Sequence, residues 1–154
     1  MKNNSIKTPM IAGIILQGIA VAIGVICYFA QKSLGAISSV QISSRVLPDT
    51  LVSMTVVLLL HIICLLVMQT SQGQSPKTIG VIMTVVYCVV NIASGVVSRI
   101  SAVFASRTGV EYVAARSVLS STISMLTSPL CFVSLALVFI AIGRFGVLGY
   151  RAEE

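Results

Sequence analysis

The chain has 154 residues, 56% apolar and 9% charged, with a formal charge of +6 at pH 7. A soluble globular domain carries about 25% charged residues, so this chain lacks the side chains for a wetted surface around a core. Its ten Lys and Arg residues are scattered singly, which argues against a nucleic-acid partner, since that needs a basic cluster.

The charges divide the chain into four uncharged stretches, residues 8–31, 50–76, 78–98 and 117–143, containing 24, 27, 21 and 27 residues. A hydrocarbon core of about 30 Å takes roughly 20 apolar residues at 1.5 Å each. Lipid offers no partner for backbone N–H and C=O groups, and the stretches lack the alternation of a barrel strand, so each reads as a helix. The fold class expected is an all-α integral membrane protein: one four-helix transmembrane bundle over residues 1–154, with spans near 9–31, 50–70, 77–99 and 117–143.

In the first span, Thr8-Pro9 reads as an N-cap followed by proline at the first helical position, where its missing N–H costs nothing. A signal peptide is the rival reading, since Lys2 and Lys7 precede the apolar run. The run from Met10 to Ala30 is 21 residues long, beyond the ~7–15 of a signal h-region, and Tyr28-Phe29-Ala30 is a poor cleavage site. Gly35 follows as a break. Asp49, after Pro48, can cap the second span. Residues 70–75 leave room only for a tight turn, and Ser75-Pro76 repeats the cap-and-proline device before the third span. That helix is expected to run past Arg99 towards Ser106. Thr108-Gly109-Val110-Glu111 reads as a capping box that starts the fourth helix before it enters the bilayer. Gly143, Gly146 and Gly149 mark its end.

This order puts the connections 32–49 and 99–116 on one side of the membrane, and both termini with the short turn on the other. Lys2, Lys7, Lys77, Arg144 and Arg151 fall on the terminal side; Lys32, Arg45, Arg99, Arg107 and Arg116 fall on the opposite side. The positive-inside rule is therefore tied at five each. The habit of small four-span proteins tilts the expectation towards cytoplasmic termini in the cell membrane. A shift of 71 lays Arg45, Val52, Ser53 and Met54 on Arg116, Ile123, Ser124 and Met125. Duplication of a helical hairpin is one explanation, and chance matching of apolar helices is the other.

The fourth span carries a stripe of small, weakly polar residues. Ala114, Ser117, Ser121, Ser124, Ser128, Cys131 and Ser134 follow at spacings of three or four, with Ser120 and Thr127 widening the face. Helix packing is the plain reading, because small residues let backbones approach and hydroxyls bond across. A polar path is the sharper one. Gly13, Gly18, Ala20 and Gly24 of the first span offer a partner surface, as do Asn91, Ser94, Gly95 and Ser98 of the third. Pro129 removes the donor for the Met125 carbonyl and should bend the fourth helix on its serine face.

His61 is the only histidine and lies at mid-bilayer depth. An intramembrane ionisable group is a functional candidate by default. No carboxylate lies in any span, however, so a neutral imidazole bonded to a serine or to Asn91 is the simpler expectation. Gln17 and Asn91 are expected to form interhelical hydrogen bonds. Cys27, Cys64, Cys88 and Cys131 fall one per span without a CxxC pair, so no metal or cofactor is expected. Asp49 and Glu111 could form a carboxylate pair only by converging, and each already has a capping role. The function expected is therefore non-enzymatic: an accessory or interaction protein in the lipid bilayer that self-associates or packs against a larger membrane partner. The alternative is a subunit of a small transporter or channel with a serine-lined path.

Overall fold

The computed structural model describes residues 4–33, 49–70, 75–106 and 110–148; at 31, 32, 49, 94, 95, 97–106, 110–121 and 148 it describes the backbone alone. The described residues form four helices and no strand: α1 (Asn4–Ser33), α2 (Asp49–Thr70), α3 (Pro76–Ser106) and α4 (Val110–Leu148). Each is long and apolar enough to span a membrane. The protein is an all-α, four-helix transmembrane bundle.

The helix limits refine those read from the charges. α1 begins at Asn4, so Thr8 is inside the helix and is not its cap. Pro9 is then interior, and the carbonyl of Ser5, its partner four residues back, loses its helical donor. The guanidinium of Arg144 supplies the replacement: Nη1 donates to Ser5 O at 2.9 Å and to Ser5 Oγ at 3.2 Å. At the start of α3, Pro76 is the first helical residue, and the N–H of Ile79 donates to Ser75 O at 3.2 Å. α3 does reach Ser106, and α4 runs 39 residues, about 58 Å at 1.5 Å per residue, nearly twice the bilayer core. The Thr108-Gly109 cap and the carboxylates of Asp49 and Glu111 lie outside the described residues.

α4 is the hub. It packs most extensively on α1, then on α3, and also touches α2, whereas α1 and α3 share no direct packing among the described residues. The interior divides into two clusters along the bundle axis. The one nearer the short turn draws on all four helices, with Met10, Cys64, Met83, Tyr87, Val138 and Phe145 among its members. The second holds Ala20, Tyr28, Leu51, Met54 and Ile123, with nothing from α3. Among the described residues, the buried side chains of α3 all belong to the first cluster. Outside, large apolar side chains such as Ile26, Leu59, Val89 and Met125 are exposed. A soluble monomer does not tolerate that much exposed apolar surface; in a bilayer it is the lipid-facing side.

Gly13 sets how closely α1 approaches α4, and Gly24 leaves room for the end of a leucine side chain. A Cβ on Gly13 would lie 2.8 Å from Val138 Cγ2 and 3.0 Å from the backbone oxygen of Ser134. On Gly24 it would meet Leu51 Cδ2 at 2.5 Å. Gly18 has nothing within 4 Å and does not belong to the packing face of α1.

Candidate functional site: a four-helix hydrogen-bond chain and a cleft

Polar groups at membrane depth must satisfy one another, since lipid satisfies none of them. His61 of α2 sits at the junction of the two clusters and is fully buried. Its Nε2 lies 3.0 Å from Ser134 Oγ of α4, and its Nδ1 lies 2.8 Å from the hydroxyl of Tyr87 on α3. Ser134 in turn donates to the backbone oxygen of Gly13 on α1 at 2.7 Å.

The directions follow from the donor inventory. The one proton of Ser134 is committed to a carbonyl, so Ser134 Oγ accepts from His61 Nε2–H. Nδ1 of the neutral ring is then the acceptor, and the Tyr87 hydroxyl donates to it. Four residues on four helices therefore form one chain from Tyr87 through His61 and Ser134 to Gly13, with each proton assigned. The tilted ring of Phe139, 5.6 Å from that of Tyr87, packs the chain from α4. Close by, the Cys64 thiol donates to Met83 Sδ at 3.3 Å.

The serine that holds His61 is Ser134, and Asn91 is not involved. Asn91 is exposed, and its Nδ2 donates to the oxygen of Tyr87 on its own helix at 2.8 Å. The expected interhelical bond of Asn91 is therefore replaced by a local one. Gln17 does bond between helices: fully buried, its Nε2 donates to Met54 O on α2 at 3.1 Å. Its Oε1 is buried without a hydrogen-bond partner.

The buried face of α4 runs through Ile123, Thr127, Ser134 and Val138. Of the stripe read from spacing, Ser134 and the flanking Thr127 fall on this face, while Ser124, Ser128 and Cys131 lie beside it and are only half-buried. They line a cleft of about 270 Å³ whose wall also includes Gln17, Thr50 and Asn91. All four helices contribute to that wall, α3 through Asn91. Pro129 is exposed and so lies on the outer side of α4, not on the serine face. The side chains of Ser117 and Ser121 lie outside the described residues.

Sequence reasoning passed over the hydrogen-bonding roles of Tyr87 and Arg144 and the part of the cleft wall contributed by α2. Tyr87 carried a usable signal, since a phenol in mid-span has to find a partner for its O–H. Among the described residues, no three of His, Cys, Asp and Glu come together as a metal site would require. Compared with known proteins, the chain matches no family model, no curated protein and no solved structure.

Proposed function

We propose that the protein is a non-enzymatic accessory protein of the cell membrane, which self-associates or packs against a larger membrane protein through a groove on its outer face. The observation that carries this reading is the bare backbone of Gly143 and Gly146, three residues apart at the end of α4. A Cβ at either meets nothing within 4 Å. They border an outer groove of about 490 Å³ between α3 and α4, together with Gly80, Thr84 and Val147. The two helices are in ordinary van der Waals contact there, since a Cβ on Gly80 would lie 3.5 Å from Gly146 Cα. Glycine in a helix costs roughly 1 kcal/mol relative to alanine. In lipid its compensating use is the close approach of another helix.

The reading includes cytoplasmic termini, which a reporter fused after Glu154 and active on one face of the membrane would test. A second reading, a subunit of a small transporter or channel, draws on the cleft beside Ser124 and Ser128. Against a continuous path stands the other half of the bundle, filled by the Tyr87–His61–Ser134 chain and the cluster around Met83 and Phe145.

The test is purification in mild detergent from the host membrane, comparing wild type with Gly143→Leu and Gly146→Leu. A complex that forms with wild type and is lost in both variants, while helicity and thermal unfolding are unchanged, is the expected result. Val147→Leu, on a side chain that is 82% exposed, serves as the control. Wild type that runs as a lone bundle, both in detergent and by in-bilayer energy transfer between labelled copies, would overturn the reading.

A further inference from the structure

The buried cluster nearer the short turn is rich in sulfur. Met10 of α1, Cys64 and Met68 of α2 and Met83 of α3 all belong to it. Cys64 and Met68 are four residues apart and share one face of α2. Between α2 and α3, Cys64 Sγ lies 3.3 Å from Met83 Sδ. Neither sulfur lines the cleft or the outer groove. Spacing along the chain could not show this pair, because its two members come from different helices.

A thiol and a thioether are a weak donor and a weak acceptor, so their hydrogen bond adds little to the core. The same two groups are a strong ligand pair for a soft ion, since thiolate and thioether select Cu(I). That ion accepts fewer ligands than the four of a structural zinc site. His61 is not among them: its Nε2 donates to Ser134 and its Nδ1 accepts from Tyr87.

Charge decides the valence. Cys64 and Met83 are 3% and 6% exposed and pack among Ile79, Val138 and Phe145. A net charge in such surroundings is costly. A monovalent ion that replaces the thiol proton forms a neutral pair with the thiolate, and the thioether adds no charge. A divalent ion on the same two sulfurs would leave one positive charge in the cluster. Metal–thiolate bonds run about 2.3 Å at zinc, so two sulfurs sharing an ion stand roughly 4 Å apart. Opening the pair from 3.3 Å takes about 0.7 Å, within the freedom of the three rotatable bonds of methionine.

We propose that Cys64 and Met83 bind one Cu(I) ion between α2 and α3. The S–H bond of Cys64 breaks, an S–Cu bond forms, the proton leaves to water and no electron is transferred. The ion then joins the two helices that, of the pairs in contact among the described residues, pack least on each other.

The test is anaerobic titration of the full chain in lipid nanodiscs with Cu(I), in competition with the chromogenic chelator bicinchoninate. One ion per chain should be held, with sulfur neighbours at about 2.3 Å by X-ray absorption. Its affinity should rise about tenfold per pH unit, because one proton leaves for each ion bound. Cys64→Ala should abolish binding. Met83→Leu, which nearly conserves volume, should weaken it by about tenfold or more while thermal unfolding changes little. Replacing Cys27, Cys88 and Cys131 together by alanine should leave it intact. Should Cys64→Ala fail to fold, Met83→Leu and the pH slope decide. Binding lost in the triple variant, or equal in Met83→Leu and wild type, would overturn the proposal in favour of single thiols. No ion held against the chelator would overturn it too, and leave the sulfur pair as packing.

Discussion

Arg144 and Ser5, 139 residues apart in sequence, meet where α1 lacks a helical hydrogen bond. Pro9 cannot donate to the Ser5 carbonyl, and the guanidinium of Arg144 does so from the end of α4. The contact thus ties the two helices that pack most extensively, near both termini.

The dependence of this contact on Pro9 can be measured. Arg144→Ala should lower stability by about 0.5–1 kcal/mol, the low end for a hydrogen bond because Arg144 is exposed. In a Pro9→Ala background the residue at 9 can donate to Ser5 O itself, and the same substitution should cost less than half as much. Reversible unfolding in mixed micelles gives both values. Equal costs in the two backgrounds would mean that Arg144 is not serving the carbonyl that proline frees.

The chain through His61 should behave as a unit. Tyr87→Phe and Ser134→Ala each leave one nitrogen of His61 without its partner, at about 1 kcal/mol apiece. Both act through the same ring, so the double variant should depart from the sum by at least ~0.5 kcal/mol. Replacing all three polar groups, as Tyr87→Phe, His61→Leu and Ser134→Ala together, should cost less than the two singles combined, because no polar atom is then left unmatched. The nitrogen-15 spectrum of His61 should show the proton on Nε2. A proton on Nδ1 would reverse the direction of the chain.

Glycines on α1 should respond in opposite senses. Gly13→Ala drives a methyl into Val138 and the backbone of Ser134, at roughly 1–3 kcal/mol for overpacking, and should weaken the Ser134–Gly13 bond. Gly18→Ala enters open space and should stabilise by up to about 1 kcal/mol through helix propensity. Thermal unfolding of the two variants side by side separates a packing glycine from a tolerated one.

Removing the cleft hydroxyls should do little to folding. Ser128 donates to a carbonyl of its own helix and Ser124 to Ser128, so Ser124→Ala and Ser128→Ala should stay within about 0.5 kcal/mol of wild type. A loss above 2 kcal/mol in either, on an order-of-magnitude scale for single substitutions, would mean that these serines hold helices together.

The number of spans, their helical form and their approximate limits were legible in the sequence, because lipid imposes a length and forbids unpaired backbone wherever the chain crosses it. The start of α3 at Pro76 and its overrun to Ser106 were legible for the same local reason: they depend on neighbours in the chain. That Thr8 does not cap α1 was not legible, because the donor that lets the helix continue through Pro9 comes from α4.

The polar residues show the same division. A lone histidine at mid-span announces that it needs a partner, yet spacing alone could not choose between Ser134 and Asn91. Rotation of α4 decided it, since a turn of one residue, about 100°, moves a side chain from the interior to the edge. That rotation put Ser134 inside against His61, left Ser124 and Ser128 at the cleft, and turned Pro129 outwards. Composition and periodicity determined that this chain lives in a membrane as four helices. Only the tertiary structure decided which hydrogen bonds join them, because side chains from four helices meet at His61 through packing that no single helix encodes.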